Sequence, residues 1–325
     1  MKERQELPVL AIDLGGTKII VAISSSRGKI VAKEYHLTLA EEGAQSVINR
    51  IFSAIDRLLS ARNIDPSQLH SISIAAAGAI DFAQGVVTSS PNLPGWHDIP
   101  LRDIVSRKYR VDTILINDAS AAALGEHEFG AGKGVNNLIL LTVGTGIGGG
   151  IIINGKLYSG PSGSAGEIGH MTIDVNGPRC SCGNIGCLEM LASGTAVARE
   201  AIRRISQGGR SVLAGMVEGK IENITAEKVE VAARGGDSLA LEVISKAATY
   251  LGVGMVNLVN IFNPEMIVVG GGVAKMGELL LEPAKQVVKE RAFPLSAQAV
   301  RIVPARLGED AGVLGAAVFA YGQHS

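Results

Sequence analysis

All three cysteines of this chain lie within eight positions of one another, and a histidine precedes them by ten residues. One imidazole and three thiolates have the ligand number and softness of a closed tetrahedral zinc site. Glycines within the loop allow it to curl tightly enough for three sulfurs to converge. Three ordinary buried or free cysteines are the alternative, but unrelated cysteines are rarely spaced so closely. The spacing therefore predicts a zinc site formed by His170, Cys180, Cys182 and Cys187.

A second chemical feature is Asn117-Asp118, which follows the apolar run 114–116 and precedes an alanine-rich, helix-forming segment. The carboxyl ends of strands are where α/β proteins place their chemistry. A carboxylate there can accept the proton of an alcohol during phosphoryl transfer, and the neighbouring amide can bind a sugar hydroxyl. A helix N-cap is the alternative role for Asp118. We predict that Asp118 is the catalytic base.

Two glycine turns between apolar runs predict phosphate-binding hairpins. The first follows the run 9–14, where Asp13 could orient a metal ion through water, and the second follows the run 138–143. Backbone amides and a small hydroxyl can approach phosphate oxygens closely, and two such turns could enclose a triphosphate from opposite sides. Ordinary hairpins are the alternative. The residues expected to bind the nucleotide are Asp13, Gly15, Gly16, Thr17, Lys18, Gly144, Thr145 and Gly146.

Neither turn belongs to the common nucleotide-binding motifs. The first lacks the Gly-x4-Gly-Lys-Ser/Thr of a P-loop. The second contains Gly-x-Gly-x-x-Gly, but a Rossmann loop opens into a helix, whereas the apolar run 151–153 and an Asn-Gly turn follow here. Two strand, glycine turn, strand units, opening at residues 9 and 138, indicate an approximate internal duplication. Such a duplication is typical of the actin-like, or ribonuclease-H-like, ATPases, an α/β fold with a nucleotide and sugar cleft between two lobes.

The remaining elements fit this α/β class. At 325 residues the chain is long for one compact core, and two lobes are expected. The expected lobes are residues 1–118 with a C-terminal helix of about 308–325, and residues 119–307. Apolar periodicity predicts helices over 43–61, 237–262 and 308–320, and strands at 71–76, 113–116 and 266–269, the last followed by a third glycine turn and a helix from about residue 273.

Charge and hydropathy exclude several classes of partner. The formal net charge is −1, with both signs interspersed, so a nucleic-acid-binding surface is not expected. The most apolar region, 138–153, contains five glycines and is too short for a membrane span. About seven residues, four of them charged and with no signal-peptide core, precede the first apolar run. We therefore expect a cytoplasmic protein with no nucleic-acid or membrane partner, in which clustered cysteines indicate metal binding.

Gly-Glu-Ile-Gly-His at 166–170, followed by Cys-x-Cys-Gly-x-x-Gly-Cys-Leu-Glu at 180–189, resembles the signature of the ROK family of bacterial sugar kinases and sugar-responsive repressors, most of all its glucokinases. The resemblance implies that Asn117 and Asp118 form the sugar-binding and catalytic pair, and that Glu167, His170 and Glu189 reach sugar hydroxyls. It places Gly271 and Gly272 on the adenosine side. The alternatives are solvated glutamates and a plain strand-to-helix turn.

Two further loops complete the site that the resemblance implies. ROK glucokinases carry a loop similar to the segment 92–96, so Asn92 is expected to contact the sugar; a surface loop held down by Trp96 is the alternative. Ala77-Gly78 stands where the family usually has Pro-Gly. Gly78 is still expected in the sugar site, in a loop that is less constrained without the proline.

The function that the resemblance implies is ATP-dependent phosphorylation of a hexose, most of all glucose, at its 6-hydroxyl, with Mg²⁺ at the phosphates and structural Zn²⁺. N-acetylmannosamine or another hexose is the alternative substrate. A sugar-responsive regulator lacking its DNA-binding domain is a further alternative, opposed by the early position of Asp13, because ROK repressors carry a helix-turn-helix before the first glycine turn. Family members are usually dimers or tetramers, so a homodimer or homotetramer is expected.

Overall fold

The chain divides into two compact units in a computed structural model that describes residues 7–90 and 92–322. The first unit comprises Met1–Asn136, Gly150–Gly166 and Arg306–Ser325, and the second comprises Asn137–Gly149 and Glu167–Ala305. Residues 119–136, 150–166 and 306–307 belong to the first unit, although the expected lobes assigned them to the second. Expected features at residues 1–6, Pro91 and 323–325 lie outside the described residues.

A five-stranded mixed sheet forms the centre of the first unit, in the order β3-β2-β1-β4-β8. The strands β1 to β3 are antiparallel, whereas β1, β4 and β8 are parallel. A smaller antiparallel sheet has the order β5-β6-β7. The strands are β1 Val9–Leu14, β2 Lys18–Ser24, β3 Ile30–Leu37, β4 Ser71–Ala76, β5 Ala79–Asp81, β6 Val86–Ser89, β7 His97–Ile99 and β8 Thr113–Asn117.

Helices cover this sheet, two of them through one apolar face and the third buried on nearly all sides. The helices of the first unit in the N-terminal half are α1 Ala44–Arg62, α2 Leu101–Tyr109 and α3 Asp118–Glu128. Helix α1 buries seven residues at helical spacing, from Val47 to Leu59, as its periodicity predicts. Trp96 is fully buried in the same core while Asn92 is exposed, which is the arrangement of a surface loop held down by an aromatic side chain.

The second sheet has the order β11-β10-β9-β12-β13. Its strands are β9 Leu138–Val143, β10 Ile147–Ile153, β11 Lys156–Leu157, β12 Met266–Gly270 and β13 Arg301–Pro304. The helices of the second unit are α4 Leu188–Ala192, α5 Gly194–Ser206, α6 Leu213–Met216, α7 Ala226–Arg234, α8 Ser238–Phe262, α9 Glu278–Arg291 and α10 Pro294–Ala299. The segment 138–153 is therefore a strand, turn, strand unit, and the Rossmann reading is excluded as predicted.

The C-terminal helix, α11 Ala311–Gly322, returns to the first unit and packs on α3 and β1. Glycines on both helices permit backbone contact: a Cβ at Gly125 would lie 2.4 Å from the carbonyl oxygen of Ala311, and one at Gly315 would lie 1.6 Å from that of Ala121. This close packing is why α3, which begins at Asp118, belongs to the first unit.

Among the described residues, one helix is long and apolar enough to cross a membrane by length and composition, namely α8. Within its 18-residue apolar window 61% is buried inside the structure. A core helix passes the same test, so the apolar character of α8 is accounted for by its packing against α9, α7 and α4.

Candidate functional site

The register of the first sheet brings three polar residues to one edge. Leu14 pairs with Ala76, and Ala76 with Asn117, so the parallel strands β1, β4 and β8 end level with one another. Asp13 therefore lies at the same carboxyl edge as Asp118, where α/β proteins concentrate their chemistry.

Asp13 is held in an environment that opposes its ionisation. Partial burial raises the pKa of Asp13 to about 7; the negative charge of Asp118 raises it as well, while the Lys18 ammonium lowers it. Helix α11 closes the space beside it, because a Cβ at Gly312 would lie 2.4 Å from Oδ2 of Asp13. A cation at this edge would relieve the repulsion between the two carboxylates.

Asn117 and Asp118 have different positions at the start of α3. The Asn117 side-chain oxygen accepts a hydrogen bond from the Ser120 amide at 3.0 Å, which makes Asn117 the N-cap, and Asp118 is the first helical residue. Oδ1 of Asp118 accepts from the amide of Ala119 at 2.8 Å. The N-cap alternative that we considered for Asp118 therefore falls on Asn117, and the carboxylate sits at the positive end of the helix.

Gly78 lies beside Asn117, and Asn92 lies beside the first glycine turn. The side-chain amide of Asn117 donates to the Gly78 carbonyl at 3.2 Å, and Gly78 has a φ of +116°, where a Cβ would lie 2.4 Å from the Ser89 carbonyl oxygen. Glycine is therefore required there even without the preceding proline. Gly16 lies against Asn92, since a Cβ at Gly16 would be 2.6 Å from the Asn92 carbonyl oxygen.

The first glycine turn is a tight hairpin. The Gly15 amide donates to the Lys18 carbonyl at 2.9 Å, and the Thr38 hydroxyl donates to the Gly15 carbonyl at 2.7 Å. The Lys18 ammonium forms an ion pair with Glu309 at 2.8 Å. Lys18 is therefore already engaged by a carboxylate at the position where a phosphate is expected.

The predicted metal ligands converge in the second unit. The ligand atoms of His170, Cys180, Cys182 and Cys187 all lie within 4.8 Å of one another. Zinc–sulfur bonds of about 2.3 Å at a tetrahedral angle imply a separation of about 3.8 Å between sulfurs. The Cys182 and Cys187 sulfurs are 3.7 Å apart, and the Cys180 sulfur is 3.6 Å from Nδ1 of His170. These two separations match tetrahedral zinc coordination, and the four side chains together could hold a zinc ion.

Glycines and thiol chemistry support the same reading. The loop glycines have positive φ, +93° at Gly183 and +69° at Gly186, as the predicted tight curl requires. Burial and the two neighbouring thiols raise the pKa of Cys187 to about 12. A bound cation deprotonates a coordinating thiol outright, so a metal ion at this cluster would counter the raised pKa of Cys187.

The three predicted sugar ligands of the second unit surround the metal loop. Nε2 of His170, the nitrogen that faces away from the sulfurs, lies 3.9 Å from Oε2 of Glu167. Burial raises the pKa of Glu167, the charge of Glu189 adds to the rise, and His170 opposes it. Coordination through Nδ1 would leave Nε2 beside the Glu167 carboxylate and available to a ligand.

Glu189 also connects the metal loop to the second glycine hairpin. Its Oε2 accepts from the Ile147 amide at 2.9 Å, and a Cβ at Gly146 would lie 2.3 Å from the same oxygen. Gly169 permits a similar approach, because its Cβ would lie 2.0 Å from the Ile147 carbonyl oxygen. Gly169 is thus required by its contact with the backbone of the hairpin, whereas Gly146 leaves room for the Glu189 carboxylate.

A cavity of about 450 Å³ lies between the second and third glycine turns of the second unit. It is lined by Gly144, Thr145, Gly194, Thr195, Ala198, Ile224, Thr225, Ala226, Glu227, Glu230, Gly272, Val273 and Met276. Gly271 brings the turns together: its φ is +91°, and a Cβ there would lie 2.4 Å from the Val143 carbonyl oxygen. The volume falls within the range of small-molecule sites.

Sequence reasoning missed the N-termini of α5 and α7 as walls of this cavity. The Gly194 amide donates to the Gly144 carbonyl at 2.8 Å, and the Thr195 hydroxyl donates to the Thr145 carbonyl at 2.9 Å. Ser193 caps α5 and Thr225 caps α7. The sequence signal was present as two helix starts with Ser and Thr caps, but nothing in it indicated that both helices would face the turn at 144–146.

The chain resembles known proteins over nearly its whole length. A glucokinase of Halalkalibacterium halodurans is 41% identical over 94% of this chain and 92% of its own length. A xylose repressor of Caldicellulosiruptor bescii is 36% identical over 94% of this chain and 76% of its own length. The crystal structure of a ROK family glucokinase from Streptomyces griseus, in complex with glucose and AMPPNP, superposes with a TM-score of 0.84 at 34% identity, over 97% of this chain and 99% of that one.

The predicted fold class is confirmed by this structural similarity. The sequence profile described as "ROK family" matches residues 9–323, from the start of β1 to just beyond the end of α11. The chain belongs to the ROK family.

Proposed function

We propose that this chain is an ATP-dependent hexose kinase that phosphorylates glucose at its 6-hydroxyl. The observation that carries the proposal is the pairing of Asp13 and Asp118 at the carboxyl edge of the first sheet, beside a glycine hairpin. Phosphoryl transfer requires a base for the alcohol and a cation for the phosphates, and these two carboxylates meet those needs. Similarity to a glucokinase at 41% identity supports glucose as the sugar.

In this proposal Asp118 accepts the proton of the sugar hydroxyl as the oxygen attacks the terminal phosphorus of ATP. The hydroxyl oxygen forms the new P–O bond, the bond to the ADP oxygen breaks, and the electron pair leaves with ADP. Asn117, Gly78 and Asn92 are the proposed sugar contacts beside the base. Asp118 lies at the N-terminus of α3, and this location favours the ionised carboxylate that a base requires.

The second unit supplies the other proposed sugar ligands, Glu167, His170 and Glu189. Each hydroxyl stripped of water costs on the order of 1–3 kcal/mol if it is left unpaired, so fixed carboxylate and imidazole partners are needed. Zn²⁺ held by His170 and the three cysteines would fix the imidazole ring and supplies structure rather than reactivity.

The cavity of the second unit is the proposed adenosine site. Gly144, Thr145 and Gly272 line it, and Gly146 and Gly271 lie in the same two turns. Gly15, Gly16, Thr17 and Lys18 are the proposed phosphate contacts of the first unit. Asp13 would hold Mg²⁺ through water, and the ion would neutralise charge that develops on the phosphates.

A coupled assay for ADP release tests the proposal. Glucose, mannose, fructose, N-acetylglucosamine and N-acetylmannosamine are compared with saturating ATP and Mg²⁺. Glucose should give the highest kcat/KM. A higher value for N-acetylmannosamine would show that this sugar, and not glucose, is the substrate. Absence of ADP release with every sugar would refute the kinase.

A sugar-responsive regulator is the second candidate, favoured by 36% identity to a xylose repressor over 94% of this chain. Such a protein would bind a sugar without turning it over. Sugar binding measured by calorimetry, without ADP release in the same preparation, would favour this alternative.

We further propose that the chain acts in the cytoplasm as a homodimer or homotetramer. Three thiolate ligands persist where thiols stay reduced. Ile261, Phe293 and Leu295 are 64–73% exposed at the end of α8 and around the start of α10, and exposed apolar residues of this kind are common at subunit contacts. Light scattering coupled to size exclusion measures the mass of the assembly, and a mass of 33.7 kDa would rule out self-association.

A further inference from the structure

The side chain of Glu126, near the end of α3, is fully buried. Among the described residues it is the only Asp, Glu, Lys or Arg with so little exposure. Its carboxylate accepts three backbone hydrogen bonds, from Ala131 at 2.8 Å, Arg306 at 2.9 Å and Leu307 at 2.7 Å. Because an unpaired buried carboxylate is costly, these three donors account for its tolerance inside the protein.

The neighbouring backbone packs closely around the Glu126 carboxylate. A Cβ at Gly130 would lie 2.1 Å from Oε2 of Glu126, so only glycine leaves room for it. The Glu126 carbonyl in turn accepts from the amides of Gly130 and Gly132, at 3.1 and 2.8 Å. One residue therefore ties the end of α3 both to the loop that follows it and to a segment 180 residues further along the chain.

The anchored segment, 306–312, leads directly to the proposed phosphate and metal end of the first sheet. Glu309 pairs with Lys18 at 2.8 Å, and Asp310 pairs with Lys33 at 2.6 Å. Gly312 lies against the Asp13 carboxylate, where a Cβ would be 2.4 Å from Oδ2. The backbone position of this segment thus decides where Lys18 is held and how closely Asp13 is enclosed.

We infer that Glu126 is a positioning residue, which anchors the amides of Arg306 and Leu307 so that the segment 306–312 holds Lys18 and Asp13 in place for the phosphates and their metal ion. The inference rests on the proposed kinase function. Glu126 touches no reacting group, and its effect passes through the segment that it anchors.

Two variants of Glu126 and one control test this role. Glu126→Leu removes all three acceptor contacts, whereas Glu126→Gln keeps one oxygen for the amides of Arg306 and Leu307 but loses the charge that strengthens those bonds. Glu128→Gln changes an exposed glutamate two residues away on the same helix and serves as the matched control.

Two measurements are made on each purified full-length variant. Hydrogen–deuterium exchange over 306–312 reports the anchor without requiring activity. Steady-state kinetics report the Mg²⁺ concentration that gives half-maximal rate, together with the KM for glucose. A loss of folded protein alone would lower kcat without moving the Mg²⁺ requirement.

We expect faster exchange over 306–312 and a rise of roughly tenfold or more in the half-saturating Mg²⁺ concentration for Glu126→Leu, the range seen when an outer-shell partner is lost. Glu126→Gln should show a smaller rise, and Glu128→Gln none. Unchanged exchange, or faster exchange with an unchanged Mg²⁺ requirement, would overturn the inference. If Glu126→Leu does not fold, Glu126→Gln decides on the same readouts. A wild-type protein without kinase activity would refute the proposed function instead, and the exchange result would still decide whether Glu126 anchors the segment.

Discussion

Two carboxylates at one sheet edge have different environments, and the difference suits different roles. Asp118 lies at the start of α3, whose dipole favours its charge, whereas partial burial and the nearby Asp118 raise the pKa of Asp13 to about 7. A residue whose ionisation is opposed in the fold is one that a cation can stabilise strongly. Asp13 is therefore suited to hold a metal ion through water and Asp118 to accept a proton.

Replacing the proposed base tests this division directly. We expect Asp118→Asn to lower kcat by about 10²–10⁴-fold, the usual contribution of a general base, while glucose still binds. Asparagine keeps an oxygen that can accept from the Ala119 amide, so α3 should start normally. Turnover is measured by ADP release and binding by calorimetry, with Glu128→Gln as the control. Near-normal turnover in Asp118→Asn would remove Asp118 from the role of base.

The raised pKa of Asp13 predicts that stability depends on pH. Between 3.8 and about 7 the folded state binds more protons at this carboxyl than the unfolded state does, so its contribution to stability falls as pH rises through that window. Asn at position 13 cannot ionise, so Asp13→Asn should be more stable than wild type at pH 8, by at most about 4 kcal/mol in the free energy of unfolding. Its unfolding temperature should be correspondingly higher. The difference should shrink at pH 5 and disappear only below the unfolded pKa of 3.8. Melting curves without Mg²⁺ measure it, and a pH-independent difference would contradict the raised pKa.

Among individual residues, those that could be predicted from the sequence are the ones whose side-chain types carry their own chemistry. Three clustered cysteines and Asn117-Asp118 can be recognised without knowing the fold, and the structure brings the cysteines together with His170. Glu126 could not be found this way, because two of its three partners are backbone amides 180 and 181 residues away and any sequence supplies amides. The contact of Gly194 with Gly144 was hidden for the same reason.

Among the elements, the metal loop is held by turns and hydrogen bonds rather than by a regular helix or strand. The segment 170–187 contains two isolated β-bridges, Thr172 with Cys187 and Arg179 with Ile185, and no helix or strand from Met171 to Cys187. A short loop of this kind has little apolar burial of its own, so a bound metal would contribute much of its folding free energy.

We expect Cys182→Ala to lose zinc and to weaken glucose binding. Cys182 is exposed, so its truncation opens no cavity, and the effect should come from the missing ligand and the freed His170 ring. Zinc content is measured by mass spectrometry of the metal and glucose affinity by calorimetry. Ser181→Ala, an exposed neighbour in the same loop, is the control. Unchanged glucose affinity in a zinc-free variant would show that the metal does not position the sugar ligands.

The third glycine turn gives a prediction about the nucleotide. A Cβ at Gly272 would meet no protein atom within 4 Å, yet Gly272 lines the cavity, so a larger side chain there would occupy ligand space rather than strain the fold. Gly272→Leu should raise the KM for ATP by tenfold or more, the effect of about 1.4 kcal/mol, with little change for glucose. Gly215→Leu, at an exposed position of α6 with equally open surroundings, is the control. An unchanged KM for ATP would place the nucleotide elsewhere.

The prediction of helices and strands succeeded where the apolar periodicity was strong and failed at the starts of two helices. The strands at 71–76 and the helix over 238–262 match their predicted ranges closely. The helix expected from residue 273 is instead a 3-10 turn, Val273–Met276, interrupted by Gly277 at a φ of +62° before α9 begins at Glu278. The final helix likewise begins at Ala311, after a 3-10 turn at 308–310. Both differences arise from glycines whose backbone conformation periodicity does not reveal.

For the whole molecule, the proposals predict a sugar-dependent gain in stability. A ligand that binds only the folded protein stabilises it by about 2.7 kcal/mol when present at 100 times its Kd, so glucose should raise the thermal midpoint. Xylose lacks the sixth carbon and its hydroxyl and is the matched control, which should give a smaller shift at the same concentration. Asp118→Asn should keep the glucose shift, because its role is in turnover, whereas Glu189→Gln should lose much of it. Differential scanning fluorimetry with each sugar measures the shift. A shift with xylose that exceeds the shift with glucose would point instead to a pentose-responsive protein. The preferred sugar would then lack the 6-hydroxyl that the proposed kinase phosphorylates.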